Sequence, residues 1–253
     1  MKKQWRFTRS SLLLTLLVLL LTSCSPSSPS DGVDAENEPE TISSATMSRY
    51  RENEIKEYKG AKLDPAVGPR DNSIHGVQYM STDYYSLSLT GEVVTPLELS
   101  YEEVIALDAY ERNITLYCVE GWDATILWKG VLMKDLLDLA GINDSAITVI
   151  FHSVDGYTTS LPLDTIIDNE LILAYQANGL DLPPEMGYPF IFVAEDKLGY
   201  KWARWVTGIE LSTDADYEGY WEQRGYSNEA DISKQKIEPA LYAKAIKYGI
   251  LRL

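Results

Sequence analysis

The chain has 253 residues and a formal charge of −16, with only two histidines and two cysteines. A carboxylate excess of that size disfavours nucleic acid and anionic lipid headgroups as partners. So few histidines and cysteines leave little for a conventional zinc site or a His-based triad, and the sequence holds no P-loop, GxGxxG or GxSxG motif.

Lys2, Lys3, Arg6 and Arg9 make a positive start, and Leu12 to Leu21 is an apolar run broken only by Thr15. This order matches a secretory signal, and the run is too short to span a membrane as a helix. The run ends in Leu21-Thr22-Ser23-Cys24, which resembles the lipobox of bacterial lipoproteins. That resemblance implies a signal peptide over residues 1–23, lipidation of Cys24, and a cell-membrane location, lipid-anchored on the extracytoplasmic face. Two or three acyl chains hold a protein on a bilayer where a single chain binds only reversibly. Residues 24–55 are Ser/Pro-rich and then acidic, and are expected to form a flexible tether. The main domain is expected over residues 56–232, with residues 233–253 as a C-terminal helical extension.

Within the domain, Tyr84 to Thr90 alternates polar and apolar residues as a half-buried strand does. Ser100 and Glu103 form a capping box that should open a short helix reaching about Ala109. Ile114 to Val119 reads as a strand. Val131 to Ala140 has helical spacing at Leu132, Leu136 and Leu139, with Gly141 where a C-cap belongs. Ile147 to Phe151, Phe190 to Ala194 and Trp205 to Leu211 read as further strands, and Pro239 as the start of a last helix. Strands and short helices alternate without a βαβ rhythm, which predicts an α+β fold with mixed, mostly antiparallel sheets.

With Cys24 lipidated, Cys118 is the one thiol left, so no intrachain disulfide can form. Lone cysteines are most often buried core residues. Glu120, two residues on, raises the thiol pKa and argues against an independent nucleophile. Chemistry at Cys118 therefore needs a strong positive partner such as a metal.

The surroundings form an ordered pattern. Cys118-Val119-Glu120-Gly121-Trp122 is followed by Trp128-Lys129-Gly130-Val131, then Ser153-Val154-Asp155-Gly156-Tyr157 and Met186-Gly187-Tyr188-Pro189. Lys197-Leu198-Gly199-Tyr200-Lys201-Trp202-Ala203-Arg204-Trp205 and Gly219-Tyr220-Trp221-Glu222-Gln223-Arg224-Gly225-Tyr226 close it. In this order, over roughly residues 75–230, the chain resembles the molybdopterin-binding domain of the sulfite oxidase family. It is most similar to the bacterial single-domain type, which includes the exported methionine sulfoxide reductase subunit. The resemblance implies a molybdopterin cofactor with Cys118 as the metal ligand, and an oxidoreductase performing oxygen-atom transfer on a small substrate, with a possible redox partner protein. A coordinating thiol is deprotonated by its metal, which removes the objection from Glu120. The same comparison places Glu120 beside Cys118 in the catalytic pocket with Trp122. It places Ser153, His75 and Gly76 against the pterin, and Lys201 and Arg204 against its phosphate. Tyr220, Trp221 and Tyr226 are expected to pack as an aromatic clamp.

Two features depart from the pattern. Ile191 stands where the family usually has an arginine near the phosphate, and Met186 replaces a polar residue. Arg6-Phe7-Thr8-Arg9 lacks the adjacent pair of a twin-arginine signal, the usual route for folded, cofactor-loaded proteins. A surface binding module that keeps the fold without molybdenum is the alternative expectation.

Overall fold

The computed structural model describes residues 40–68 and 70–232. The signal segment, Cys24, the first part of the tether and the helix expected from Pro239 lie outside these residues.

Ordered structure starts earlier than the tether boundary at residue 55 implied. Strand β1 (Glu40–Thr41) precedes helix α1 (Ser44–Asn53), whose first turn is capped by the Ser43 hydroxyl accepting from the Thr46 N–H at 3.1 Å. The helix buries none of its own side chains, which is why composition reads it as a linker. Its anchor is Glu54, only 5% exposed, which accepts from Arg51 at 3.0 Å, the Ala66 N–H at 2.9 Å and the Asn178 amide at 2.9 Å. Asn178 also donates to the Asp64 carbonyl and accepts from the Leu127 N–H, tying the arm to the main sheets. Strands β2 (Glu57–Tyr58) and β3 (Ala61–Lys62) form a small hairpin, and β4 (Arg70–Asp71) pairs with β1.

The remaining chain builds two five-stranded sheets. Strand β5 (Leu87–Gly91) buries Leu87 and Leu89 and leaves Ser88 and Thr90 partly open, the expected alternation. It pairs with β6 (Leu97–Leu99), and the Ser100/Glu103 capping box opens α2 (Tyr101–Ile105). That helix stops short of Ala109, where β7 (Ala109–Tyr117) begins. Strand β8 (Asp123–Leu132) returns antiparallel and leads into α3 (Met133–Ala140). Val131 and Leu132 are thus strand residues. The buried helix face is Met133, Leu136, Leu137 and Ala140, with Leu139 48% exposed.

Strands β9 (Thr148–Ser153) and β10 (Thr158–Pro162) form a hairpin followed by α4 (Leu163–Asp168). Then come β11 (Ile172–Ala177), β12 (Leu180–Asp181), β13 (Ile191–Val193) and β14 (Val206–Ser212). One sheet runs β10-β9-β14-β5-β6, with β14 parallel to β5 and its other pairings antiparallel. The second runs β12-β11-β8-β7, with β13 also on β11, all antiparallel. This is an α+β fold with mixed, mostly antiparallel sheets.

The sheets share one core. Phe151 of β9 stacks on Phe192 of β13 at 3.8 Å between ring centroids, and Trp128 of β8 packs against Trp202 at 5.5 Å. Gly130 lets β8 and β11 close, since a Cβ there would lie 2.1 Å from the Leu173 carbonyl oxygen.

Candidate active site

The β7–β8 register runs to Tyr117↔Asp123, leaving residues 118–122 as the connecting loop. Cys118, read from sequence as part of the strand Ile114 to Val119, therefore sits one residue beyond the end of β7. The apolar pattern runs on through Val119, but pairing ends at Tyr117. The Cys118 N–H donates to the Trp122 carbonyl at 2.9 Å and the Gly121 N–H to the Cys118 carbonyl at 3.1 Å. Gly121 has φ +89° with open space where a side chain would be, so glycine is needed there for conformation.

Within this loop the Trp122 indole N–H donates to Glu120 Oε2 at 3.0 Å, and the Asn72 amide reaches the same oxygen at 3.5 Å. Cys118 Sγ lies 4.0 Å from that oxygen. Burial above all, with the Glu120 charge adding to it, pushes the Cys118 thiol up to about 11, despite opposing backbone N–H groups of Glu120 and Val119. Behind the thiol, Tyr117 is bridged to Leu198, and a Cβ on Gly199 would lie 3.9 Å from Cys118 Cα.

A second group of predicted residues gathers at the β9–β10 turn. Ser153 ends β9, and its N–H donates to the Tyr157 carbonyl at 2.9 Å. His75 Nδ1 lies 2.7 Å from the Asp155 carbonyl oxygen, and the Val154 N–H donates to the Trp205 carbonyl at 3.1 Å. Arg204 donates to Asp71 Oδ1 at 2.6 Å and to the Glu185 carbonyl at 2.8 Å, with its guanidinium over the Trp205 ring. Asp155 has its carboxyl pushed up by burial, against the pull of the Tyr157 N–H, Arg204 and His75. The segment 71–76, which includes Gly76, connects the two groups: Asp71 holds Arg204, Asn72 touches Glu120, and His75 meets Asp155. Sequence reasoning gave no role to Asp71 or Asn72, whose only signal was two polar residues just ahead of His75.

Lys201 does not join this assembly. Its side chain has no solvent exposure and makes an ion pair with Glu222 Oε1 at 2.5 Å. It also donates to the Ser160 carbonyl at 3.0 Å and Asn228 Oδ1 at 2.8 Å. Burial pulls its pKa down while Glu222 opposes that. The phosphate-contact role expected for Lys201 is corrected to an internal ion pair, with Glu222 the partner that sequence reasoning missed. Ile191 is 1% exposed and pairs with Ala174 in the core, so it offers a phosphate nothing polar. Met186 also packs against the core. The aromatic clamp forms a chain, with centroid separations of 5.3 Å for Tyr220–Trp221, 5.2 Å for Trp221–Tyr226 and 5.2 Å for Tyr226–Tyr200.

Among the described residues, Cys118 and Ser153 each offer an uncommitted group to a bound cofactor. Cys118 is the free cysteine among the described residues, and a thiol is a soft ligand suited to a metal already held by sulfur. Ser153 is 7% exposed and its hydroxyl has no hydrogen-bond partner among the described residues. Buried polar atoms are nearly always satisfied, so an orphaned hydroxyl in this corner fits a pterin hydrogen bond. The thiol and the hydroxyl fit the cofactor, while at the phosphate end Arg204 is the remaining predicted cation.

The domain presents a soft thiol in one hairpin loop and an orphaned hydroxyl at a second turn, two groups that would suit a metal-bearing cofactor. Residues 74–221, more than half of the chain, match the oxidoreductase molybdopterin binding domain, and the chain belongs to that family. It is 36% identical over 154 residues to an uncharacterized oxidoreductase of Bacillus subtilis, covering 60% of this chain and 77% of that protein. It is 31% identical over 143 residues to an Azospira oryzae protein provisionally named a protein-methionine-sulfoxide reductase subunit, covering 56% of this chain and 54% of that one. It is 27% identical over 178 residues to the sulfite oxidase of Arabidopsis thaliana, covering 56% and 45%. The chain thus spans about half the length of these last two relatives. The crystal structure of the sulfane dehydrogenase SoxCD of Paracoccus pantotrophus shares the fold, with a TM-score of 0.59 at 19% identity over 79% of this chain and 60% of that one. The chain is therefore a molybdopterin-binding oxidoreductase domain of the sulfite oxidase type.

Proposed function

We propose that this protein is an exported, lipid-anchored oxidoreductase that moves an oxygen atom to or from a small substrate on the extracytoplasmic side of the membrane. The observation that carries the reading is Cys118, a part-buried thiol at the tip of the β7–β8 hairpin with the exposed Glu120 and Trp122 around it. When bound, molybdopterin supplies a redox-active molybdenum that exchanges oxygen and electrons. Cys118 would hold that metal as a thiolate. The orphaned Ser153 hydroxyl would donate to the pterin, and His75, Gly76 and Arg204 would border it. Glu120 and Trp122 would line the substrate side. The apolar run before Cys24 supports export and lipidation. A redox partner protein would carry the electrons, as the word subunit in the name of the Azospira relative suggests.

The test uses the full chain made in a molybdopterin-competent host. It should catalyse dye-linked oxygen transfer, lose that activity in Cys118→Ala, and incorporate labelled fatty acid only when Cys24 is present. The binding-module alternative is favoured by Ile191 in the core and Lys201 in an internal pair. It requires a molybdenum-free chain whose properties are indifferent to Cys118→Ser.

A further inference from the structure

Between two buried anchors the chain crosses the site with little support. The first anchor is Asp71, buried and bound by Arg204 at 2.6 Å, with β4 around it paired to β1 through Glu40↔Asp71 and Thr41↔Arg70. The second is Tyr85, buried and donating its hydroxyl to the Val206 carbonyl at 2.6 Å. From Asn72 to Tyr84 no residue is buried, and of the apolar side chains Met80 packs against the core. Tyr79 and Tyr84 are strongly exposed. Among the described residues no backbone hydrogen bond joins this segment to either sheet. It is tied to the rest of the domain by the Asn72 amide on Glu120 at 3.5 Å and by His75 Nδ1, 2.7 Å from the Asp155 carbonyl oxygen. Other bonds are internal. The Gln78 amide donates to the His75 and Gly76 carbonyls at 3.2 and 2.8 Å, and the Asp83 N–H to the Ser81 hydroxyl at 3.3 Å, so the segment has a shape of its own.

We infer that residues 72–84 form a strap that opens as a unit while both sheets stay folded, that the Asp71–Arg204 ion pair is its clasp, and that it closes over a bound pterin cofactor. The inference rests on the reading above that Cys118 and Ser153 hold that cofactor. Asn72 reaches the thiol loop and His75 reaches the turn after Ser153, so the closed strap runs from one to the other. Two neutral hydrogen bonds favour closure by only about fivefold to a hundredfold. The folding constant of a domain is roughly 10³–10⁸. The strap therefore lets go well before the sheets do. A cofactor held between the two groups adds contacts that exist only in the closed form, so loading shifts the balance towards closure. Arg204 is fixed independently, by its bond to the Glu185 carbonyl at 2.8 Å and its place over the Trp205 ring. Loss of the Asp71 carboxylate thus frees the strap and leaves the arginine held.

Chymotrypsin reads the opening, because cleavage after Tyr79 or Tyr84 needs the flanking chain lifted off the surface. In the full chain made without molybdopterin, mass spectrometry should find these two cuts about tenfold faster or more than any cut within β7 to β14. Asp71→Asn should speed them about tenfold, the worth of a charge-assisted bond. His75→Ala, at an exposed position where folding does not depend on the side chain, should speed them about threefold or more. Loading with molybdopterin should slow them about tenfold or more, and the loaded Asp71→Asn chain should release pterin about tenfold faster than the wild type. Cuts no faster than those in the sheets, cuts that neither variant speeds, or a loaded chain cut as fast as the cofactor-free one, overturns the inference. Where Asp71→Asn does not fold, His75→Ala and the effect of loading decide. A chain that takes up no pterin would defeat the functional reading and the strap's role in closing over the cofactor, while the cofactor-free cleavage rates still decide for or against the clasp.

Discussion

Replacing Lys201 by methionine removes a cation with no solvent exposure from a partner, Glu222, that is equally enclosed. The ammonium loses bonds to Glu222, Asn228 and Ser160, and the carboxylate keeps only the Thr159 hydroxyl at 3.1 Å. Its other oxygen, Oε2, already has no hydrogen-bond partner among the described residues. Stranding a buried charge in this way costs about 3–5 kcal/mol. At roughly 2–4 °C per kcal/mol for a domain of this size, Lys201→Met should lower Tm by roughly 6–20 °C. Urea unfolding of the cofactor-free chain, followed by tryptophan fluorescence, measures the loss directly. The double variant Lys201→Met, Glu222→Gln should recover more than half of it, because no lone charge is left inside. A loss below about 1 kcal/mol, the level of ordinary surface substitutions, would refute the internal pair and return Lys201 to the phosphate contact expected from sequence.

Other expectations follow from the same geometry. Ser153→Ala removes a buried hydroxyl with no partner, so cofactor-free stability should hold steady or rise by up to about 1 kcal/mol. The same substitution should weaken cofactor retention about tenfold, measured as pterin released on dialysis. In the cofactor-free chain the Cys118 thiol is pushed up to about 11, so it is protonated at neutral pH. Its alkylation by iodoacetamide should rise about tenfold per pH unit between about 8 and 10 before levelling, and a plateau already reached near neutrality would contradict the burial that raises it. Asn178→Ala breaks side-chain bonds to Leu127, Asp64 and Glu54, which should expose the arm over residues 44–66 to limited proteolysis while the sheets resist it. Equal protease resistance of wild type and variant would show that the arm is held elsewhere.

Local signals were legible where local physics decides. The Ser100/Glu103 box starts α2, the Leu87/Leu89 alternation gives β5, and Gly141 follows α3 with a positive φ. Features set by distant partners were not. Cys118 reads as a strand residue because the apolar pattern continues past it, yet the register against β8 places it in the loop. The polar composition of residues 44–53 reads as tether, and only Glu54 meeting Asn178 from the far end of β11 reveals a docked helix. Lys201 looked like a free cation near a glycine, because nothing local shows that Glu222 folds back onto it. Of the candidate site, Cys118, Glu120, Trp122, His75, Ser153 and Arg204 were legible from the ordered motifs. Asn72 and Asp71, which join the two halves, were not, since a loop that crosses a site leaves no periodicity to read.

The central claim is that Cys118 holds molybdenum. Elemental analysis of the full-length protein from a molybdopterin-competent host, alongside Cys118→Ala from the same host, tests it most directly. The account predicts about one molybdenum per chain in the wild type and almost none in the variant. No metal in the wild type, or equal metal in both proteins, would contradict it.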